Sequence, residues 1–491
     1  MTQANTTAEQ PQLKRVMGPG LLLLFIVGDI LGTGVYALTG QVAGEVGGAA
    51  WLPFLLAFVI ATITAFSYLE LVTKYPQAAG AALYTHKAFG IQFVTFLVAF
   101  VVMCSGITSA STASQAFASN LIKGFGLDWG KVGIAAVALL FMAALAAINL
   151  RGVSESVKLN VVLTVIEITG LLMVILVGLW AFTQGGDNID FSRIILFESE
   201  GDRSTFVAIT AATSLAFFAM VGFEDSVNMA EETKDPVRIF PKVLLSGLSI
   251  AGVVYIMVSI IAVALVPIGD LKESSTPLVD VVEAAAPGLP IDEIFPFITM
   301  FAVSNTALIN MLMASRLIYG MARQRVLPPA LGRVHPRRHT PWIAILFTTL
   351  IAFGLIFYVS GFASSSAVSI LGGTTSLLLL AVFAVVNVAV LVLRRDVKAV
   401  GPSASEPPGE QGREIRQGHF RTPTILPVLG FLLSLYLVTP LSGRPVQQYL
   451  VAGVLVLAGI VLFFVTSLIN KKMGAEGAGI TDPVHLGDAP D

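Results

Sequence analysis

The chain has 491 residues, of which 55% are hydrophobic and 12% charged, with a mean hydropathy of +0.83 and a formal net charge of −2. Soluble domains carry about 25% charged residues, so the composition excludes a water-soluble protein and requires one that crosses a membrane many times. The single cysteine, Cys104, excludes an intrachain disulfide framework, and the histidines (His86, His335, His339, His419 and His485) all fall in predicted loops or tails, which leaves no imidazole relay or histidine metal site at membrane depth.

Residues Met1 to Leu13 are polar and lack an apolar h-region, so no cleavable signal peptide is expected and the first span serves as the insertion signal. About 20 apolar residues cross a hydrocarbon core of roughly 30 Å. Twelve segments meet that standard: 18–44, 49–73, 90–121, 131–150, 156–183, 204–231, 241–267, 293–322, 341–361, 366–394, 424–441 and 446–469.

The first span carries Gly32-Thr33-Gly34 near its midpoint, just after Asp29. Small residues at this spacing, Gly28 and Gly32 among them, also serve close helix packing. A helix break at membrane depth is tolerated where it is buried in protein or lines a cavity. The amides of Thr33, Gly34 and Val35 would then face a carboxylate, assisted by the positive end of the following half-helix. Span two holds Glu70 near one end, where a structural role is expected. Span three bears a polar stripe of Ser105, Thr108 or Ser109, Thr112, Gln115 and Ser119. In span five Asn160, Thr164 and Glu167 share one helical face.

Span six repeats the theme of span one. It reads Phe217-Phe218-Ala219-Met220-Val221-Gly222 and then Phe223-Glu224. A break near Ala219–Gly222 frees carbonyls at the negative end of a half-helix, suited to an ammonium group. Two interrupted spans in corresponding halves point to a solute site between them, with amides for a carboxylate, carbonyls for an amine and Phe218 as a lid. An ionised acid at mid-bilayer costs about 2.5–3.5 kcal/mol or more, so Asp29, Glu167 and Glu224 should face the bundle interior. There they either exchange protons or hydrogen-bond a neighbour as neutral carboxyls. Span eight adds Thr299, Thr306 and Asn310. The polar stripes read as interhelical hydrogen bonding or as a wet pathway, with spacing favouring the former.

Between the spans, residues 276–286 form a candidate short helix. Charged segments follow span six (Glu231 to Pro241) and span eight (Arg316 to Pro328), either as membrane anchors or as a gate of ion pairs. The stretch 399–421, rich in Pro, Gly, Glu and Arg, lacks the apolar content to order itself. With the N-terminus inside, only Lys123, Lys131, Arg193, Arg203, Lys272 and Arg444 of the 29 Lys and Arg residues fall outside. Both termini are therefore expected in the cytoplasm of a multi-pass cell-membrane protein.

Four segments together resemble the amino acid–polyamine–organocation superfamily of transporters. They are Gly-Thr-Gly-Val-Tyr at 32–36, Tyr-Pro-Gln-Ala-Ala-Gly-Ala-Ala-Leu-Tyr at 75–84, Phe218 to Pro241 with its Glu-Glu-Thr-Lys-Asp-Pro, and Arg316 to Pro328. The resemblance covers about residues 14–470 and is nearest to bacterial relatives of the cationic amino acid transporters. It implies an all-α integral membrane protein of twelve transmembrane helices with the leucine-transporter-like fold. Spans 1–5 and 6–10 would be inverted repeats of a core at 16–395, flanked by a tail at 1–15. A loop at 396–422, peripheral spans at 423–470 and a tail at 471–491 would complete the chain.

The resemblance further implies substrate at the two breaks (Asp29, Gly32, Thr33, Gly34, Val35, Phe217, Phe218, Met220 and Gly222), with Phe218 as an aromatic gate and Glu224 in proton coupling. Proton-coupled relatives often carry a lysine in span five in the place of a sodium ion. Here, aligned from Gly152-Val-Ser-Glu155-Ser156, that position is Glu167. Asp29 also replaces a residue that is usually small or apolar. Protonation of the acids, a bound cation such as Na⁺, or a cationic substrate would each offset the change.

The expected function is secondary active, proton-linked transport of amino acids, cationic or amine-bearing ones preferred. Polyamines or other amines and neutral amino acids are the alternatives within the class, and a channel or nutrient sensor the alternative outside it. No nucleophile–base constellation points to an enzyme. No metal, organic cofactor, nucleic acid or obligate protein partner is expected, only a small-molecule substrate and the bilayer.

Overall fold

Hydrocarbon offers no partner to backbone N–H and C=O groups, so apolar runs of this length fold as helices. A computed structural model describes residues 17–472 apart from 78–79, 152–153, 186–188, 199–202, 231–232, 289, 339, 363–366 and 400–418. The expected N-terminal tail, the C-terminal tail beyond Lys472, most of the 396–422 loop, Glu231, Glu232 and the Asn160 side chain lie outside the described residues.

The first span is two helices, α1 (Pro19–Ile30) and α2 (Thr33–Val46). Then follow α3 (Trp51–Lys74), α4 (Gly80–Phe89), α5 (Gln92–Gly124), α6 (Gly130–Arg151), α7 (Ser154–Gln184) and α8 (Thr205–Ala216), and next α9 (Pro236–Leu265), α10 (Ile268–Glu273), α11 (Pro277–Ala285) and α12 (Ile291–Arg323). The last four are α13 (Trp342–Phe362), α14 (Ala367–Ala399), α15 (Ile425–Val438) and α16 (Val446–Lys472). The short helix expected over 276–286 is α11. The only β-type pairings among the described residues are isolated bridges, Met17 with Thr233 and Gly47 with Phe197.

Eleven stretches of the described residues are long and apolar enough to cross a membrane. The remaining expected span, 424–441, is represented by α15, with 14 residues and thus about 21 Å long. The residue preceding a proline is pushed out of helical geometry. Thr439, before Pro440, is accordingly extended at ψ 156° and ends the helix.

Helices α5 and α14 pack at the centre, α5 against α12 and α14 and α3 against α9. Helix α16 exposes Leu450, Val454, Leu457, Val461, Phe464 and Leu468, the surface a lipid-facing helix presents.

Two arginines join distant parts of the chain. Arg394 of α14 donates from Nε to Glu70 Oε1 of α3 at 2.7 Å and from Nη2 to Glu70 Oε2. Glu70 Oε2 also accepts the Thr422 N–H at 2.8 Å. The structural role expected of Glu70 is thus an ion pair between spans two and ten. Arg444 is 6% exposed. It donates to the carbonyls of Leu437 (2.7 Å), Gly373 (2.8 Å) and Ser214 (3.4 Å), to Gln448 Oε1 (2.9 Å) and to Ser376 Oγ (3.0 Å).

Candidate substrate site at two broken helices

Both expected breaks are present, and they touch. Helix α1 ends at Ile30, and α2 starts at Thr33 after Gly32. The ends so exposed need partners. The Ile30 carbonyl accepts from Tyr255 Oη of α9, and the Thr33 N–H donates to Thr306 Oγ1 of α12 at 3.2 Å. The first-turn amides of Gly34 and Val35 have no acceptor within their own helix.

In the sixth span α8 gives way at Phe217 to a 3₁₀ turn, Phe217–Met220, followed by extended Val221 (ψ 141°) and a second 3₁₀ turn, Asp225–Met229. Gly222 sits between them at φ 124°, a conformation other residues rarely adopt. Its N–H donates to Glu224 Oε2 at 2.9 Å, so Glu224 caps the break in its own span.

The contact between the breaks is backbone to backbone. A Cβ on Gly34 would strike Ala219, whose N lies 2.9 Å from that point. A Cβ on Gly222 would lie 2.8 Å from the Asp29 carbonyl carbon and 3.1 Å from its Cγ. Asp29 therefore leans on the span-six break, with Asp225, Glu224 and Glu167 as electrostatic neighbours. Asp29 Oδ2 and both Glu167 carboxyl oxygens are buried without a hydrogen bond of ordinary geometry among the described residues; the Asn305 amide lies close to Glu167.

A cavity opens at this junction. Asp29, Gly32, Thr33, Gly34, Phe218 and Gly222 of the expected site line it, joined by Ile30, Ser109, Val221, Asp225, Thr306 and Asn310. It has room for about one water molecule, so a larger solute requires the breaks or the Phe218 ring to move apart. Val35, Phe217 and Met220 are buried beside it, off its wall. The Phe217 ring packs on Phe383 at 5.9 Å between centroids. Phe218 meets α14 at Gly372, where a Cβ would lie 3.5 Å from its ring.

The profile of the amino acid permease family matches residues 21–466. The chain belongs to this family. Among curated proteins the permease is 24% identical to the branched-chain amino acid permease BcaP of Bacillus subtilis (strain 168), over 95% of this chain and 96% of that one. It is 29% identical to the methylthioribose transporter of the same organism, over 80% and 84% of the two chains. It is also 29% identical to cationic amino acid transporter 9, chloroplastic, of Arabidopsis thaliana, over 66% and 58%. The permease is thus a multi-pass membrane transporter of the amino acid–polyamine–organocation type, and not an enzyme.

The polar stripes of the permease serve two ends. Thr108 Oγ1 meets Thr375 Oγ1 of α14 at 2.7 Å, Gln115 donates to Ser360 Oγ at 2.8 Å, and Asn305 donates to Thr164 Oγ1 at 3.2 Å. These are bonds between helices. Ser109, Thr306 and Asn310 instead face the cavity. Asp225 carries no motif of its own in the sequence, and Arg444 stands there only as one of the outer charges. The signal for Asp225 is its place directly after Glu224, in a span where a break makes neighbouring residues diverge.

Proposed function

We propose that this permease is a secondary active amino acid transporter working by alternating access and coupled to protons, with cationic or amine-bearing amino acids preferred. The observation that carries the reading is the meeting of two helix breaks across Gly34–Ala219 and Asp29–Gly222. It sets residues of both breaks, Gly34 of the first turn of α2 among them, around one cavity. The amides of Gly34 and Val35 would receive the substrate carboxylate, while the carbonyl end of α8 and Asp29 would receive its ammonium group. Phe218, on the wall, would act as the gate whose displacement admits the substrate.

Glu167 and Glu224 would carry the coupling proton. The Gly222 amide bonds the Glu224 carboxyl, and a carboxylate accepts more strongly than a neutral carboxyl. Protonation there would loosen the span-six break and link proton binding to its movement. The frame we propose is twelve spans, α15 being the eleventh, with spans 1–5 and 6–10 as inverted repeats in a core of residues 16–395. Spans eleven and twelve would be peripheral and both termini cytoplasmic, in the cell membrane.

The test is uptake by the full chain in proteoliposomes across a panel of amino acids and amines, with and without a pH gradient or Na⁺. Uptake driven by a Na⁺ gradient alone would reject proton coupling. Carboxylate-free amines outcompeting amino acids would reject the role given to the α2 amides. Glu224→Gln keeps an oxygen that accepts the Gly222 N–H. It is expected to leave the melting temperature in detergent unchanged and to weaken the pH dependence of uptake. A wild-type pH profile in that variant would remove Glu224 from the coupling.

A further inference from the structure

The cavity wall carries two carboxylates, Asp29 and Asp225, one from each break, and no lysine, arginine or histidine. Their surroundings set them apart from Glu224, which is turned back onto the Gly222 amide. The Asp225 N–H donates to the Gly222 carbonyl at 3.1 Å, so the second 3₁₀ turn begins there. Glu224 and Ser226 on either side are buried, at 7% and 0% exposure, whereas Asp225 is only partly buried and forms part of the wall. On the same cavity wall Asp29, 6% exposed, keeps Oδ2 without a partner, and the Thr33 hydroxyl, 1% exposed, also has none among the described residues.

The wall therefore carries two carboxyl groups against the single positive charge of one ammonium group. A zwitterion with a single cationic nitrogen compensates one of the two acids. A second cationic nitrogen, carried on the substrate's side chain, compensates the other. We propose that Asp225 is a specificity-determining residue that receives the distal cationic nitrogen of a dibasic amino acid, while Asp29 lies at its α-ammonium end. This assignment rests on the amino acid reading of the site given above.

L-Lysine and L-norleucine have equal side-chain length and differ in the ε-ammonium group, which makes them the discriminating pair. For the full-length protein in proteoliposomes, the KM for lysine uptake should be at least about tenfold below that for norleucine. A hydrogen bond to a charged group supports about a tenfold to hundredfold difference. Asp225→Asn should raise the lysine KM by that factor and leave norleucine unchanged. Asp225→Glu extends the acid by one methylene and should shift preference toward the shorter L-ornithine by about threefold or more.

Equal wild-type KM values for lysine and norleucine would overturn the assignment. So would an equal rise for both substrates in Asp225→Asn, or an unshifted ornithine-to-lysine ratio in Asp225→Glu. Uptake of leucine and norleucine without a lysine preference leaves the amino acid reading standing and defeats this one alone. No uptake of any amino acid in the panel defeats both.

Discussion

Gly34→Val is expected to cut substrate uptake by about tenfold to hundredfold while the protein still reaches the membrane. The added side chain has no vacant space to enter, because its Cβ would strike Ala219, and the backbone there belongs to the opposite break. Overpacking of this kind costs about 1–3 kcal/mol, and here the cost falls on the junction that forms the cavity. The Gly34 amide, on the first turn of α2, would be carried away from the position proposed for the substrate carboxylate. Binding is the measurement that matters. A raised Kd with little change in melting temperature places the effect at the site; wild-type affinity would mean that the glycine serves packing alone. Gly34→Ala already carries the offending Cβ and is expected to show most of the effect.

Arg444→Ala is expected to lower the stability of the fold more than any loop substitution nearby. Its guanidinium holds the carbonyls of Ser214 in α8, Gly373 in α14 and Leu437 in α15. Removing it takes away five charge-assisted hydrogen bonds; Ser376 Oγ still donates to the Ser214 and Gly373 carbonyls and Ser442 Oγ to that of Leu437, so the loss is that of the charged donor, about 1.5–3 kcal/mol for a bond to a charged group. We expect a loss of several kcal/mol, read as a drop in melting temperature in detergent and early aggregation on size exclusion. Arg444→Lys should recover only part of it, since an ammonium cannot present the planar fork that reaches five acceptors at once. A melting temperature within a degree of wild type would show that water takes over these carbonyls. Ser214 lies two residues before the end of α8, so the same variant should also raise the KM for substrate.

The positions of both breaks were legible in the sequence because glycine is their physical cause. Gly222 at φ 124° and the close approach at Gly34 are conditions that glycine meets and other residues do not. Helix type and limits were legible for the long apolar runs, where length and hydrophobicity leave one solution. The 424–441 segment was read too long because Pro440 ends its helix. What a side chain does at a break was less readable. Helical periodicity assigns faces only where the helix continues, so Glu224 and Asp225 could not be told apart, and one proves to cap the turn while the other lines the cavity. Arg444 and the Glu70–Arg394 pair were hidden for a different reason. Ser214 lies 230 residues from Arg444 and Glu70 lies 324 residues from Arg394, and no local pattern registers a contact of that range. Phe217 and Phe218 show the same limit at the shortest distance, one ring in an aromatic cluster and its neighbour on the cavity wall.

The Glu70–Arg394 pair has a consequence for how the chain tolerates alteration. Arg394 enters it five residues before α14 ends at Ala399. Just beyond residues 400–418 the chain returns to the same end of α3: the Phe420 N–H donates to Thr73 Oγ1 at 3.1 Å, and Thr422 donates through Oγ1 to the Phe66 carbonyl at 2.6 Å and through its N–H to Glu70. The residues flanking 400–418 thus hold both points to α3 through contacts of their own. Lengthening such a connection costs only about 0.6 kcal/mol per doubling. Residues 400–418 are therefore a place to splice in a folded reporter or an affinity handle, with uptake and melting temperature expected to stay at wild-type values. The same insertion between Arg394 and Ala399 would shift the helix that carries the clasp.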